Sequence, residues 1–512
     1  MCGVVGVWGS ADEALVREML RRISHRGPDG DGVHCDPAGR SALGHQRLAI
    51  VDPPGGEQPI LSSDPRVGVV VNGEIYNHRQ LRRSLGEARF RTHSDSESVL
   101  QLYLEGQREL PGALDGMYAF VLQDGDHLFA ARDPLGIKPL YMGKRASGWC
   151  FASEIKGLVG LAEQIREFPP GATFHTERGF DRFYSVPHVS AEPVSEEDAL
   201  LELRQGLERG VLKRLMSDVP IGVLLSGGLD SSLVAALARR HIEPLHTFAV
   251  GLEDSEDLAA ARRVASSLET IHHEHVLTAD DITLHLPRIL YHLESFDQDL
   301  VRSAIPCYFA ARLAAEHVKV VLTGEGADEL FAGYRYHKDY LDAAALGREL
   351  RRSVSTLHNI NLQRLDRMTM THGIEGRVPF LDLELVSLAQ RIAPGLKLRA
   401  HGQTRVVEKW VLRAACRDLL PNEILWREKQ QFDEGSGTTR LIPLALEDWF
   451  TGLDARDYAR RQPQASLRSP EECVYHSLLS SAYREPEPVL RTVARWSHRP
   501  AEPETDFASG SI

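Results

Sequence analysis

The chain has 512 residues, 42% of them hydrophobic and 26% charged, with a net charge of −13. A chain of this length folds as two or three domains. Its acidic balance disfavours nucleic acid or an anionic membrane as the main partner. Six cysteines are too few and too scattered for a disulfide scaffold, and no Cys-x-x-Cys pair indicates a zinc site. No apolar run approaches the ~20 residues of a membrane span. The first residues also lack the basic segment of a signal peptide, so we expect a cytoplasmic protein.

Short apolar segments separated by turns dominate the first 180 residues. Six of them have the composition of strands: CGVVGVWG, VGVVVNGEI, YAFVLQD, HLFAARD, LYMGK and WCFASE. One helix is predicted over 11–25, where Leu15, Met19 and Ile23 recur at helical spacing. A second is predicted from Ser94, with Glu97 three residues later as in a capping box. These patterns predict an α+β domain of packed antiparallel sheets over residues 2–187.

A proline-rich stretch at 185–195 marks the predicted domain boundary. A long amphipathic helix follows it, and then buried strands such as IGVLL and VKVVLTG alternate with helices. This alternation predicts an α/β domain with a doubly wound parallel sheet. We place it at 195–495, mainly helical after about 340, and expect the polar residues 496–512 to form a mobile tail.

The segment SGGLDSS, residues 226–232, lies between a predicted strand and a helix. Gly227 and Gly228 would let the backbone approach a ligand, and the N–H groups that open the helix favour an anion. Asp230 would repel a phosphate unless a cation such as Mg²⁺ lies between them. Hydroxyl donors are available from Ser226, Ser231 and Ser232. The loop is neither a Walker A loop nor GxGxxG; the alternative is an ordinary glycine-rich turn.

A second acidic segment, TGEGADE, also follows a predicted strand and carries three carboxylates, Glu325, Asp328 and Glu329. Crowded acids require a cation or a functional reason. Beside the phosphate loop, Asp328 is the natural second ligand for Mg²⁺. The alternative is a solvated acidic turn.

Cys2 lies directly after the initiator methionine. If Met1 is removed, a thiol and an α-amine of pKa about 7.7–8 share one residue, and the amine can accept the thiol proton. Cys2 is therefore either an N-terminal nucleophile or merely a small apolar residue at the start of a strand.

Together, Cys2, SGGLDSS and TGEGADE resemble the class B glutamine-hydrolysing asparagine synthetases, from residue 2 to about 440. The resemblance implies an N-terminal-nucleophile glutaminase fused to an ATP-pyrophosphatase-type synthetase domain. Its implied glutamine-site residues are Arg47 for the α-carboxylate, Asn72 and Gly73 for the oxyanion, Glu74, and Asp95 for the α-ammonium. Individually these could be a surface salt bridge, a hairpin turn and a favourable helix start.

In the second half, the resemblance implies adenosine contacts at Leu225, Val250, Thr323 and Gly324. It implies that Glu325 assists the acyl-adenylate and that Lys429 stabilises the α-phosphate; on its own, Lys429 could be a solvated surface lysine. The implied reaction converts ATP, L-aspartate, L-glutamine and water into AMP, diphosphate, L-asparagine and L-glutamate, through β-aspartyl-AMP and internally transferred ammonia. ATP and Mg²⁺ are the implied substrate and cofactor, and the family often forms homodimers.

The segment 294–306 departs from the family pattern. Arg302 is kept, but Asp299 and Leu300 replace the consecutive threonines that handle the acceptor. Asp299 could hold an ammonium group, as aspartate would require. It also leaves open a glutamine-dependent amidotransferase that acts on a different carboxylic acid. A non-catalytic binding protein is disfavoured by the retention of Cys2, Asp230 and Glu325.

Overall fold

The computed structural model describes residues 2–106, 110–146, 148–340, 342–401, 405–428 and 430–496. Its amino-terminal half contains two six-stranded sheets in which all neighbouring strands are antiparallel. The strands are β1 (Gly3–Trp8), β2 (Gly30–Cys35), β3 (Ser41–Arg47), β4 (Ile60–Leu61), β5 (Val67–Ile75), β6 (Gly116–Asp124), β7 (His127–Arg132), β8 (Tyr141–Arg145), β9 (Gly148–Ala152), β10 (Glu163–Glu167), β11 (Ala172–His175) and β12 (Gly179–Arg182). The predicted antiparallel architecture is confirmed.

The two sheets pack face to face. Their strand orders are β10-β8-β9-β1-β3-β2 and β12-β11-β7-β6-β5-β4, and β1 and β3 contact β5 and β6 across the interface. Alternate side chains of these strands fill the space between the sheets, including Val4, Leu43, Val70, Val121 and Phe151, all fully buried. This packing fixes the chain's first residues against the middle of β5.

Three helices belong to this half: α1 (Glu13–Arg22), α2 (His78–Leu85) and α3 (Glu97–Leu104). Helix α3 begins at Glu97, so the capping box predicted at Ser94 was wrong. The Glu97 carboxylate instead accepts hydrogen bonds from the backbone N–H groups of Arg91 and Thr92, at 2.9 and 2.7 Å. The Glu97 side chain therefore stabilises the loop that precedes α3 and does not cap the helix.

The second half is built on a parallel sheet, as predicted. Its strands are β13 (Ile221–Leu224), β14 (His246–Gly251), β15 (Ile271–Val276), β16 (Val320–Leu322) and β17 (Glu375–Arg377), in the order β15-β14-β13-β16-β17. Helices α4 (Glu196–Lys213), α5 (Leu229–Arg239), α6 (Glu256–Leu268), α7 (Ala279–Leu293), α8 (Gln298–Ala314) and α9 (Ala327–Phe331) alternate with or follow these strands. Because β13 and β16 are neighbours, the loops at their carboxyl ends meet, which is where such sheets bind ligands.

The remainder is mainly helical, as expected. Its helices are α10 (Ala343–Ser355), α11 (Asn361–Met370), α12 (Leu383–Arg391), α13 (Pro394–Lys397), α14 (Trp410–Ala415), α15 (Asn422–Leu425), α16 (Phe432–Gly435), α17 (Thr438–Ala445), α18 (Glu447–Gly452), α19 (Ala455–Arg461), α20 (Pro470–Ser481) and α21 (Glu487–Thr492), with a hairpin of β18 (Leu398–His401) and β19 (Arg405–Glu408). Trp496 packs edge-on against Tyr334; the rest of the predicted tail, 497–512, lies outside the described residues. None of the described helices is long and apolar enough to cross a membrane.

Candidate active sites

Cys2 lies at the head of β1 with only 8% of its surface exposed. Its backbone N–H donates to Asn72 Oδ1 at 2.9 Å, and its carbonyl oxygen accepts from Arg26 Nε at 3.0 Å. Its thiol points to the carbonyl oxygen of Leu48, 3.8 Å away. Burial raises the pKa of the Cys2 thiol, so a base must take its proton before it can attack. These contacts hold the amino end in one orientation.

Asn72 and Gly73 lie in β5 opposite Cys2. The Asn72 side chain is fully buried; its Oδ1 accepts from Cys2, while its Nδ2 has no hydrogen-bond partner among the described residues. Gly73 has φ +147°, and a Cβ there would lie 1.9 Å from the carbonyl oxygen of Met117. Only glycine fits this position. The buried Nδ2 group of Asn72 is therefore an available hydrogen-bond donor on a side chain that contacts Cys2.

A small cavity of about 20 Å³ adjoins the thiol and is lined by Cys2, Arg47, Gly73, Glu74 and Asp95, together with Leu48, Ala49, Ile50, Val51, Gly56, Gln58, Ser94 and Ser96. All the predicted glutamine-site residues except the neighbouring Asn72 therefore share one wall. This volume holds about one water-sized group, so the cavity must enlarge before an amino acid can bind in it.

Arg47 lines this cavity, and its Nη2 donates to the carbonyl oxygen of Asp52 at 2.9 Å. Opposite it, Asp95 Oδ2 accepts from the Ile75 N–H at 2.6 Å. Burial raises the pKa of Asp95 to about 6. A substrate ammonium would restore its charge, because an adjacent cation favours the ionised carboxylate.

Glu74 lines the same cavity but turns toward the second half of the chain. Its Oε1 lies 3.3 Å from Nη2 of the fully buried Arg377, which also pairs with Glu375 in β17. Burial and the charge of Glu375 raise the pKa of Glu74 well above its ordinary value. Glu74 therefore links the cavity at Cys2 to the edge of the parallel sheet.

The predicted phosphate loop connects β13 to α5. Gly227 has φ +70°, and a Cβ there would lie 2.4 Å from the backbone nitrogen of Ala261. The Ser226 N–H donates to Ser231 Oγ at 3.2 Å, and the Gly228 N–H donates to Ser226 Oγ at 3.3 Å. Gly228 is the N-cap of α5, without a side-chain cap. The first turn of α5 therefore opens toward the loop, which suits an anion.

A cavity of about 140 Å³ lies over this loop at the carboxyl ends of the strands. Of the predicted ATP-site residues it is lined by Leu225, Ser226, Gly228, Asp230, Ser231, Val250, Thr323 and Gly324, and Glu325 and Asp328 join them. Gly227 lies in the same loop but turns toward α6 and is absent from the lining. The cavity contains both an apolar part and a cluster of charges.

Lys409, which the sequence patterns did not single out, sits among those charges. Its Nζ lies 2.5 Å from Asp230 Oδ2 and 2.5 Å from Asp328 Oδ1. The two predicted metal ligands therefore face each other across a cation. Glu329 turns away into the protein, where it accepts from Tyr334 Oη, and burial and the charge of Asp328 raise its pKa to about 7.

Helix α11 lies between the two sites and contacts both. At its start, Arg364 pairs with Glu325. Two residues on, Asp366 accepts two hydrogen bonds from Arg26, at 2.7 and 3.0 Å, and Arg26 in turn bonds to the carbonyl oxygen of Cys2. Arg26 is completely buried and also pairs with Glu154. Helix α11 therefore connects the backbone of Cys2, through Arg26, to Glu325 in the second cavity.

The predicted acceptor residues lie away from the 140 Å³ cavity. Both nitrogens of the Arg302 fork donate to Glu471, at 2.9 and 2.6 Å. Asp299 lies 3.3 Å from Arg468. Arg302 instead lines a more open neighbouring cavity of about 720 Å³. Leu300 is buried. Lys429 lies outside the described residues.

Arg413 and Arg427 line the 140 Å³ cavity together with Lys409, and neither was predicted from the sequence. Arg427 donates to Asp257 at 2.9 Å and to the carbonyl oxygen of Gly227. It lies two residues before Lys429, so proximity to that predicted residue could have identified it. Lys409 and Arg413 carried no such signal.

A buried amino-terminal thiol beside a free amide donor, joined to an anion loop on a parallel sheet, defines an amidotransferase of two coupled parts. The comparisons agree with this class. Residues 1–179 match the family model of the glutamine amidotransferase domain, and residues 202–344 and 339–501 match that of asparagine synthase.

Similar curated proteins carry one name. Asparagine synthetase [glutamine-hydrolyzing] of Triphysaria versicolor is 43% identical over 481 residues, which are 89% of this chain and 80% of the relative. Asparagine synthetase [glutamine-hydrolyzing] 2 of Arabidopsis thaliana is 41% identical over 93% and 84% of the two chains. A probable asparagine synthetase [glutamine-hydrolyzing] of Dictyostelium discoideum is 37% identical over 97% and 96%. The chain belongs to the glutamine-hydrolysing asparagine synthetase family.

Proposed function

We propose that this chain transfers the amide nitrogen of glutamine to the β-carboxylate of aspartate, with cleavage of ATP to AMP and diphosphate. One observation carries the proposal: an oriented thiol and a nucleotide-type cavity occur in one chain and share helix α11, through Arg26–Asp366 and Arg364–Glu325. Each cavity alone is compatible with several reactions. A site that releases ammonia from glutamine, coupled to a site that activates an acid, is compatible with transfer of the amide nitrogen to that acid.

In the first site, Cys2 attacks the glutamine side-chain amide once Met1 is removed and the α-amine takes the thiol proton. The amine is already oriented by Asn72 Oδ1. Asn72 Nδ2 and the Gly73 N–H are proposed to stabilise the oxyanion. Arg47 and Asp95 are proposed to hold the α-carboxylate and α-ammonium, and Glu74 to complete the wall. The tetrahedral intermediate then breaks its C–N bond, ammonia leaves with the proton held by the α-amine, and a thioester remains. Water hydrolyses this thioester to glutamate and restores the Cys2 thiol.

In the second site, the 226–232 loop is proposed to hold the β- and γ-phosphates, which leave together as diphosphate, while Leu225, Val250, Thr323 and Gly324 contact adenosine. Asp230 and Asp328 fit a cation, because they already enclose the ammonium of Lys409. Mg²⁺ bound there would neutralise phosphate charge and favour departure of diphosphate. Glu325 is proposed to assist the attack of ammonia, and Lys429 to stabilise charge on the α-phosphate.

The most specific part of the proposal is the identity of the acceptor acid. Arg302 would bind an acceptor carboxylate only after releasing Glu471, and Asp299 would bind an ammonium after releasing Arg468. An amidotransferase for a different carboxylic acid is the second candidate, and these pairings favour it, because neither residue lines the nucleotide cavity. Aspartate is favoured by the family.

The test follows diphosphate release with ATP, glutamine and a panel of carboxylic acids. Release that requires aspartate, with asparagine formed in equal amount, supports the proposal. Release with another acid only would select the second candidate. Absence of release with every acid would overturn both.

Three further points are proposed with it. A boundary between a 2–187 glutaminase domain and a 195–495 synthetase domain is supported by the amidotransferase match ending at residue 179 and by α4 beginning at Glu196. From the family resemblance we propose a homodimer and a cytoplasmic location. Light scattering on the purified chain tests the first, and cell fractionation tests the second.

A further inference from the structure

Three histidines from separate segments meet at the amino-terminal end of the parallel sheet. His246 begins β14, His273 lies in β15, and His317 follows α8. One ring nitrogen of each lies within 4.8 Å of the other two. Nδ1 of His246 and Nε2 of His273 are 2.9 Å apart, and the ring centroids of His273 and His317 are 3.9 Å apart.

The register of the sheet creates this cluster. In the parallel pair β14–β15, His273 is the partner of Phe248, so it shares a face with Phe248 and with His246 two residues earlier. The buried ring of Phe248 stacks on both His246 and His273 and forms an apolar floor. Helix α8 packs against β14 and β15, and the exposed His317, three residues after its end, stacks on Phe248.

The donor set is that of a transition-metal site. Neutral imidazole is the commonest protein ligand for such ions, and ligand nitrogens about 3.3 Å apart suit a tetrahedral ion with bonds of about 2.0–2.1 Å. The first pair is already near that spacing, and a turn of the exposed His317 about its broad χ2 torsion brings in the third. The exposed Glu316 is close enough to act electrostatically on His273 and offers an oxygen for a fourth position.

A second cluster in the described part of the chain, His25, Glu154 and His292, shows the contrast. There Glu154 is already paired with Arg26 and Lys156, inside a buried group that also contains Arg367. Three fixed cations would repel a metal ion. The cluster at the sheet edge has no such guanidinium or ammonium group paired to its rings among the described residues.

We propose that His246, His273 and His317 form a binding site for a divalent transition-metal ion, with Zn²⁺ as the best match to three imidazoles and one oxygen or water. None of the three histidines lines the 140 Å³ cavity, although Phe248, which forms the floor of the cluster, also lines that cavity. A bound ion would join β14, β15 and the segment that leads into β16. Its role is structural, because it ties three segments of the sheet together and none of its histidines lines the 140 Å³ cavity.

Equilibrium dialysis against Zn²⁺, with excess Mg²⁺ to occupy carboxylate sites, tests the proposal. The parent chain carries Cys2→Ala so that the terminal thiol cannot take the metal. Two variants add His317→Ala or His273→Ala. The matched control adds His241→Ala, an exposed histidine at the end of α5 that lies outside the cluster. Far-ultraviolet circular dichroism without metal checks that all four chains fold alike.

We expect the parent and the His241→Ala control to bind one Zn²⁺ that the other two variants bind at least about tenfold more weakly. X-ray absorption of the parent should show imidazole nitrogens at about 2.0–2.1 Å. The thermal midpoint should rise with Zn²⁺ only where all three imidazoles remain. Equal zinc content and affinity in His317→Ala and the parent, or no zinc bound by the parent, would overturn the proposal. If only His273→Ala misfolds, the zinc affinity of His317→Ala still tests the proposal, because the exposed His317 side chain can be truncated without disturbing the core.

Discussion

Truncation of Asn72 probes the glutaminase site most sharply. The variant Asn72→Ala removes a buried Nδ2 that has no partner among the described residues, and also the Oδ1 that accepts from the Cys2 N–H at 2.9 Å. Loss of one oxyanion donor costs about 2.7–4 kcal/mol, and loss of a neutral hydrogen bond about 1 kcal/mol. Together they raise the barrier by about 3.7–5 kcal/mol, so kcat for glutamine hydrolysis should fall roughly 500- to 5,000-fold.

The assay is glutamate release with saturating glutamine, run beside synthesis from added ammonium, which bypasses Cys2. Asn77→Ala is the matched control: its amide bridges Ala113 and Asp115, away from the cavity. We expect the control to retain glutaminase activity within a few-fold and both variants to retain ammonia-dependent synthesis. A loss of less than tenfold in Asn72→Ala, or an equal loss with ammonium, would refute the assignment.

Three further outcomes are expected. Gly227→Ala should raise KM for ATP at least about tenfold and spare the glutaminase, because a left-handed alanine costs about 1–2 kcal/mol and its Cβ would strike the backbone of α6; Gly395→Ala, with open space around it, is the control, and equal KM values would contradict the loop assignment. KM for glutamine should rise about tenfold per pH unit below about 6, because the protonated Asp95 must lose its proton to pair with the ammonium, and Asp95→Asn should abolish that dependence; a flat profile in the unmodified chain would exclude this role. Arg26→Met should destabilise the fold by about 3–5 kcal/mol, since it leaves the buried Asp366 carboxylate with only a 3.4 Å contact to Arg367 among the described residues. Adding Asp366→Asn should recover part of the loss in calorimetry; no recovery would argue against a charge effect.

Much of the fold could be predicted from local patterns. The strand VGVVVNGEI was predicted with its observed bounds, Val67–Ile75, because it is β-branched and bounded by turns. Strand β3 (Ser41–Arg47) was missed, although it pairs with both β1 and β2 in its sheet. Its residues His45 and Gln46 are polar yet buried, so the strand lacks the usual apolar pattern next to Arg47, which lines the Cys2 cavity.

The sites were predicted to a similar extent. Residues in short motifs, such as Asp230 and Asp328, could be proposed from the sequence because the motif itself carries the chemistry, and both line the 140 Å³ cavity. Lys409 and Arg364 were missed, because each reaches its carboxylate partner from a distant segment and only the folded chain brings them together. The pairings of Arg302 and Asp299 with α20 and the residues before it were equally invisible, since charge partners 169 residues apart leave no local pattern.

The central claim is that nitrogen released at Cys2 reaches an acid activated at the 226–232 loop without leaving the protein. Its most direct test supplies glutamine labelled with ¹⁵N in the side-chain amide, together with ATP, aspartate and a large excess of unlabelled ammonium. The account predicts that the amide formed carries ¹⁵N far above the bulk ammonia pool, and that Cys2→Ala yields only unlabelled product. Product from the unmodified chain that is labelled no more than the bulk pool would contradict it.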